Sequence, residues 1–186
     1  MAVPIQKQFL TIEEFERAWD DGAFPPDARL ELIRGEVIEM SPIGHRHIAC
    51  VVQLVTLLSR LIPKALLSPQ NPLEIPGSES LPQPDLALLR PRKDLAINPP
   101  AAEDVLLVIE VADSSLLRDR NSKMPLYSGA GIPEAWLVDL SSDTIFVHRR
   151  PSPQGYQDVR PYRQGQVISP EAFPEERFAV IDILGT

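Results

Sequence analysis

Asp85, Glu110 and Lys123 are the residues of this chain whose types and surroundings point most directly to chemistry. Asp85 follows Pro84 and opens the apolar run DLALL. Glu110 interrupts DVLLVIEVAD, a run otherwise apolar between its end residues. An ionised carboxylate in a buried strand costs several kcal/mol unless something pairs with it or binds it. Neighbouring strands lie about 5 Å apart, so the two acids can converge if they share a face. Two carboxylates that close repel each other unless a cation sits between them. Hard divalent ions such as Mg²⁺ take oxygen ligands: one or two carboxylates, water and substrate phosphate. A lysine beside such a site can orient a water nucleophile or stabilise charge on the phosphate. The three residues together suit metal-assisted hydrolysis of a phosphodiester. Blander readings stand beside this one. Pro-Asp before a strand is ordinary turn chemistry, Glu110 can form a buried ion pair with Lys123 or an arginine, and Lys123 can be a solvated helix residue.

Three further side chains are candidates for supporting roles. His47 lies near a helix start, where a cap or packing role competes with a role in the site. Asp119 precedes Lys123 by four residues, the spacing of a helical ion pair worth about 0.2–0.5 kcal/mol when exposed. Tyr127, four residues beyond Lys123, shares its face and can hydrogen-bond within the site or simply pack. Trp136 and Cys50 sit in apolar patterns and read as core.

The elements that must position these residues follow from periodicity and punctuation. Thr11 to Trp19 predicts a short helix with Thr11 as N-cap and Glu14 completing a capping box. RLELIRGEVIEM predicts two strands around an Arg34-Gly35 turn. Ile48, Val51, Val52, Val55, Leu58 and Ile62 recur at helical spacing and predict a helix from His45 to Ile62, stopped by Pro63. Strands are expected over Ala65 to Ile75, Asp85 to Arg90 and Asp104 to Ala112, the last two apolar enough to be buried on both faces. A helix is expected within Ser115 to Ala130. Pro125 places its effective start near Asn121 as N-cap, with Lys123 close behind. Glu134 to Leu140 predicts a strand, Thr144 to Arg149 and Val159 to Arg163 an added hairpin outside the core, and FAVIDIL a final strand. The core order is helix, strand, strand, strand, helix, strand: an α/β arrangement with helices covering a mixed sheet.

The 186 residues suffice for one domain with a real core. A single cysteine excludes a disulfide framework within the chain, and with three histidines it disfavours a Cys/His zinc site. No apolar run approaches the roughly 20 residues that span a bilayer. The N-terminal MAVPIQKQFLTIEEFERAW lacks the apolar core of a signal peptide. The expectation is a cytoplasmic protein without a membrane partner. The net charge of −8 is unusual for a protein that holds duplex nucleic acid by its general field. Nucleic-acid contact must then come from a local patch or from metal ions bridging acids to phosphate. Basic clusters exist at Arg90, Arg92 and Lys93, at Arg118, Arg120 and Lys123, and at Arg149, Arg150, Arg160 and Arg163.

Four stretches resemble a known family: LELIRGEVIEMSPIGHRH (Leu30 to His47), QPDLALL (Gln83 to Leu89), VIEVADSS (Val108 to Ser115) and DRNSKMPLYSGAGIPEAWLVD (Asp119 to Asp139). In that order they are similar to the Uma-two family of endonucleases, within the PD-(D/E)XK, restriction-endonuclease-like superfamily. The resemblance implies a restriction-endonuclease-like αβββαβ core over residues 45–140. An N-terminal helix and hairpin (1–44) would precede it and C-terminal β additions (141–186) would follow, all in one nuclease-like domain. It implies a Mg²⁺- or Mn²⁺-dependent endonuclease acting on DNA, with Asp85, Glu110 and the carbonyl of Val111 holding the metal and Lys123 in the catalytic set. The superfamily's usual lysine lies two residues after the glutamate. Here that position is Ala112, and the role passes to Lys123 on the next helix. Some members carry an acid on the first core helix. Here Glu31, in the hairpin, stands in for it or supports the site from behind. A symmetric homodimer is expected, as for domains that cut both strands of a duplex. The alternative is a nuclease fold without turnover that binds nucleic acid or protein.

Overall fold

The computed structural model describes residues 9–94 and 100–185, so the N-terminal stretch weighed above as a signal peptide lies partly outside the described residues. Chain entry follows the capping logic. Helix α1 (Ile12–Asp20) has Thr11 at its N-cap, the Thr11 side chain accepting from the Glu14 N–H and the Glu14 carboxylate accepting from the Thr11 N–H. Strands β1 (Leu30–Ile33) and β2 (Glu36–Glu39) form the expected hairpin. Its two turn residues, Arg34 and Gly35, both have positive φ, the backbone of a tight hairpin turn. A β-carbon at Gly35 would meet Phe9 at 3.0 Å and the Leu10 carbonyl at 3.1 Å, and with φ at +77° any side chain there is strained.

Helix α2 (His45–Leu58) continues as a 3₁₀ turn through Leu61. Six strands then make one mixed sheet in the order β3 (Leu66–Pro69), β4 (Leu86–Leu89), β5 (Val105–Ala112), β6 (Glu134–Asp139), β7 (Thr144–Arg149) and β8 (Asp158–Tyr162). Only β5 and β6 run parallel, joined by the helical crossover α3 (Leu116–Arg118), a π-helical turn over Asp119–Lys123, and α4 (Met124–Gly129). Every residue of β4 and β5 is buried, as their continuous apolar character requires. The two faces carry separate cores. Leu107, Ile109 and Val111 face Cys50, Leu54 and Leu58 of α2, while Val108 and Ala112 face Met124 and Tyr127 of α4. Trp136 and Cys50 are fully buried, as read from their apolar surroundings.

The structure departs from the sequence expectations in several places. The Ala65 to Ile75 strand shrinks to β3, because Pro72 and Pro76 leave only isolated bridges beyond it. The hairpin β7–β8 is not outside the core: β7 pairs with β6 along its length and buries four of its six residues. The tail is not a long strand. Phe178–Ala179 (β10) pairs with Val167–Ile168 (β9), and Val180–Leu184 is a helix, α5, packed on α2. Among the described residues, no helix is long and apolar enough to cross a membrane.

Candidate active site

The register of the sheet places the two acids. Leu86 pairs with Ile109, and one step outward sets Asp85 opposite Glu110. Directly opposed residues in an antiparallel pair share a face, here the one covered by α4. The Asp85 carboxylate extends past the end of β4 and accepts the Val111 N–H at 2.8 Å. A strand residue presents its N–H and C=O to the same side. Ala112 turns its carbonyl toward β6, where it accepts the Leu140 N–H, so Val111 turns its own carbonyl toward the gap beside Asp85. Two carboxylates and a main-chain carbonyl thus border one cleft, with no β4 backbone to fill it.

Lys123 enters from the crossover. Its ammonium lies 2.9 Å from Glu31 Oε2 and 3.2 Å from Glu110 Oε1, and Tyr127 donates its hydroxyl to Glu110 Oε1 at 2.6 Å. Ser115, Asp119, Lys123 and Tyr127 are spaced four apart. In a regular helix each such step drifts about 40° around the axis. The π turn, in which the Met124 N–H reaches back to the Asp119 carbonyl, holds more residues per turn and offsets that drift. Asp119 and Lys123 can therefore both be buried, at 4% and 3% exposure. A wide turn just ahead of Pro125 suits it, because a proline ring in a regular helix clashes with the carbonyl four residues back. This corrects the sequence expectation: the helix starts at Leu116, and Asn121 lies inside the π turn rather than at an N-cap. Asp119 and Lys123 interact through charge, as their spacing allows, but among the described residues neither is the other's hydrogen-bond partner. Asp119 Oδ2 accepts from the Ser115 hydroxyl at 2.5 Å, and the lysine gives its contacts to Glu31 and Glu110.

His47, in the first turn of α2, places Nε2 2.9 Å from Asp85 Oδ1, while its buried Nδ1 has no hydrogen-bond partner among the described residues. Glu31 on β1 also accepts the Gln83 N–H at 3.3 Å, which ties the hairpin to the strand entering the site. All eight residues singled out in the sequence therefore come together. Ser115 and the Gln83 N–H were missed: a serine before a helix reads as a cap, and a main-chain donor leaves no mark in the sequence.

The electrostatics are lopsided. Glu31, Asp85, Glu110 and Asp119 are buried, against one buried ammonium. Burial pushes the Glu110 carboxyl well above the usual carboxylate range; Lys123 pulls it back, and the charges of Asp119 and Asp85 push it further up. Asp119 is raised by burial too. Burial alone would lower the Lys123 ammonium, yet Glu110, Glu31 and Asp119 outweigh it and hold it above the usual lysine range. Among the described residues no three His, Cys, Asp or Glu side chains form a metal-ligand group. The donors available to an ion are the Asp85 and Glu110 carboxylates and the Val111 carbonyl. This hard, all-oxygen set fits Mg²⁺ or Mn²⁺, ions that retain several waters.

Comparison with known proteins agrees with this fold. A solved structure from Anabaena variabilis, described as a "putative nuclease belonging to DUF820", matches 95% of this chain and 98% of its own, with a TM-score of 0.75 at 19% identity. At that identity the likeness is one of fold. No curated protein matches the chain. The family model Uma2, described as "Putative restriction endonuclease", matches residues 12–181. That span holds the hairpin, α2, the whole six-stranded sheet and the crossover, and the chain belongs to the Uma2 nuclease family, on a restriction-endonuclease-like core.

Proposed function

We propose that this protein is an endonuclease that hydrolyses DNA phosphodiester bonds with a resident Mg²⁺ or Mn²⁺ held by Asp85, Glu110 and the Val111 carbonyl. The observation that carries this reading is the surplus of buried carboxylates over buried cations around two acids opposed on adjacent strands. When bound, the ion would supply Lewis-acid stabilisation of phosphoryl charge and lower the pKa of a bound water. The chain's own residues do the rest. Val111 and His47 fix both oxygens of Asp85, and Tyr127 fixes Glu110. Lys123 has three N–H donors. Among the described residues its partners are Glu31 and Glu110, and a donor turned from the weaker Glu110 contacts would orient a water or a phosphate oxygen. Removing bulk water from this cleft strengthens each of these interactions.

A second reading draws on the same contacts. Both oxygens of Asp85 and both of Glu110 already have protein donors within 3.3 Å, as in a finished structural network. This is the alternative of a nuclease fold without turnover that binds nucleic acid or protein. Metal titration separates the two. We expect Mn²⁺ to raise the melting temperature of the wild type, to leave Asp85→Ala and Glu110→Gln unmoved, and to support plasmid nicking by the wild type alone. A wild type whose melting and calorimetric traces ignore both Mg²⁺ and Mn²⁺ would establish the structural network instead.

A further inference from the structure

We propose that Arg29 and Arg118 form a phosphate clamp on the cleft wall that holds the nucleic-acid backbone beside the scissile bond. The inference rests on the nuclease reading and adds the groups that bind substrate. Glu31, Asp85, Glu110, Asp113 and Asp119 all border the cleft, so their charge offsets much of what one divalent ion offers a polyanion, and further cations are needed to hold it. Four cationic or potentially cationic side chains line that cleft. Lys123 is enclosed between two carboxylates and His47 is engaged by Asp85. Arg29 and Arg118 are differently placed. Both are half-buried. Among the described residues, the hydrogen bonds they make go to main-chain carbonyls: Arg29 Nη1 to Ser41 at 3.2 Å and Arg118 Nη1 to Glu39 at 3.0 Å.

A guanidinium has five N–H donors in a planar fork. After one hydrogen bond to a carbonyl, each arginine keeps enough of the fork for the bidentate pairing that phosphate favours. The two come from different elements, Arg29 just ahead of β1 and Arg118 at the end of α3. Arg118 holds the last residue of β2 and Arg29 the segment that follows it, residues 40–44, which lines the cleft. That anchoring sets the two forks in place before substrate arrives, so little side-chain freedom is lost on binding. The arrangement also explains how a chain of net charge −8 could hold DNA: attraction is confined to two points instead of a basic field.

The test is the salt dependence of binding, measured by fluorescence anisotropy with a 20-base-pair duplex in Ca²⁺ over a range of NaCl concentrations. Each phosphate contact contributes about 0.9 to the slope of log K against log salt for duplex DNA. We expect Arg29→Ala and Arg118→Ala each to lower the slope by about 0.9, and to weaken binding roughly tenfold at low salt, the loss of one charge-assisted contact. The Arg→Lys variants should recover most of the slope, since lysine keeps the charge. Arg160→Ala, three strands from β5 at the sheet edge, should match the wild type. Under Mn²⁺ turnover the alanine variants should raise KM and spare kcat. A merely structural role in holding the wall would lower the melting temperature, and would move the alanine and lysine variants together with the slope unchanged. Alanine variants with the wild-type slope, in a protein that binds and cuts, overturn the clamp and leave the nuclease reading intact. A wild type with no DNA affinity at any salt overturns both.

Discussion

Replacing Lys123 with methionine tests the electrostatic design of the site most directly. Methionine keeps a linear side chain of similar length and removes only the charge and its donors. The ammonium is 3% exposed and contacts two carboxylates that are equally buried, at 2.9 Å and 3.2 Å. Breaking a buried pair by removing one partner costs about 3–5 kcal/mol, because the remaining charge is left uncompensated. For a chain of this size each kcal/mol moves the melting temperature about 2–4 °C, so Lys123→Met should melt roughly 6–20 °C below the wild type at pH 7.5. The deficit should depend on pH with a definite sign. Without the lysine, the folded-state pKa of Glu110, already raised by burial, rises further. A carboxyl raised in the folded state favours folding below its unfolded pKa, and that contribution is lost as pH rises through the folded value. The gap between variant and wild type should therefore narrow as pH falls toward 5. Mn²⁺ should replace part of the missing positive charge, stabilising the variant by about 2.7 kcal/mol at a hundredfold excess over its dissociation constant, and by more than it stabilises the wild type at equal concentration. Differential scanning calorimetry from pH 5 to 8, with and without Mn²⁺, measures all three effects. A variant that melts within a degree or two of the wild type at pH 7.5, or with a deficit independent of pH, refutes the argument.

Other consequences are simpler to check. Tyr127→Phe removes the donor to Glu110 Oε1. We expect a loss of about 1–3 kcal/mol in urea unfolding, and an acid limb of the pH–rate profile shifted upward, since a carboxylate without its donor holds its proton more tightly. Cys50 is fully buried, and burial pushes its thiol up to about 12; it should ignore a thiol reagent at pH 8 in the native protein and react at once in guanidinium. For the homodimer, sedimentation equilibrium at tens of micromolar should give twice the 20.7 kDa chain mass, and a monomer would remove that proposal without touching the site. Pro69 in β3 and Pro161 in β8 interrupt the two outer strands of the sheet, so the interface should not be a strand pairing.

The legible parts of this fold are those where local chemistry and tertiary packing agree. The capping box of α1 and the double-sided burial of β4 and β5 follow from side-chain type alone. The tail misled because AVIDIL alternates like a strand. Yet Val180, Ile183 and Leu184 also fall at i, i+3 and i+4, and α2 offers an apolar surface for that helical stripe. Pro125 misled for a different reason. A proline normally excludes helix on its N-terminal side, and the widened turn that accommodates it here is a departure from the 3.6-residue repeat on which sequence reasoning depends. The acids were visible because each interrupts or opens an apolar run. The pairing of Lys123 with Glu110 was readable too, but its pairing with Glu31 was not, since those two are brought together only when the hairpin folds over the sheet.

That the ammonium beside Glu110 comes from the crossover and not from position 112 of β5 has a physical explanation in the packing. Positions 110 and 112 of β5 share a face, so a lysine two residues after Glu110 would rise beside it from the strand. In this chain position 112 is fully buried against Met124 and Tyr127 of α4, and there is no volume for a long side chain there. Alanine lets the crossover helix settle onto the sheet. The same close approach brings the Tyr127 hydroxyl within 2.6 Å of Glu110 and Lys123 within 3.2 Å. The charge is supplied from the helix side of the interface instead of the strand side, and this accounts for the π turn as well. With the helix pressed onto the strand, Asp119, Lys123 and Tyr127 must all face inward over more than two turns, and a regular helix would carry one of them away from the site.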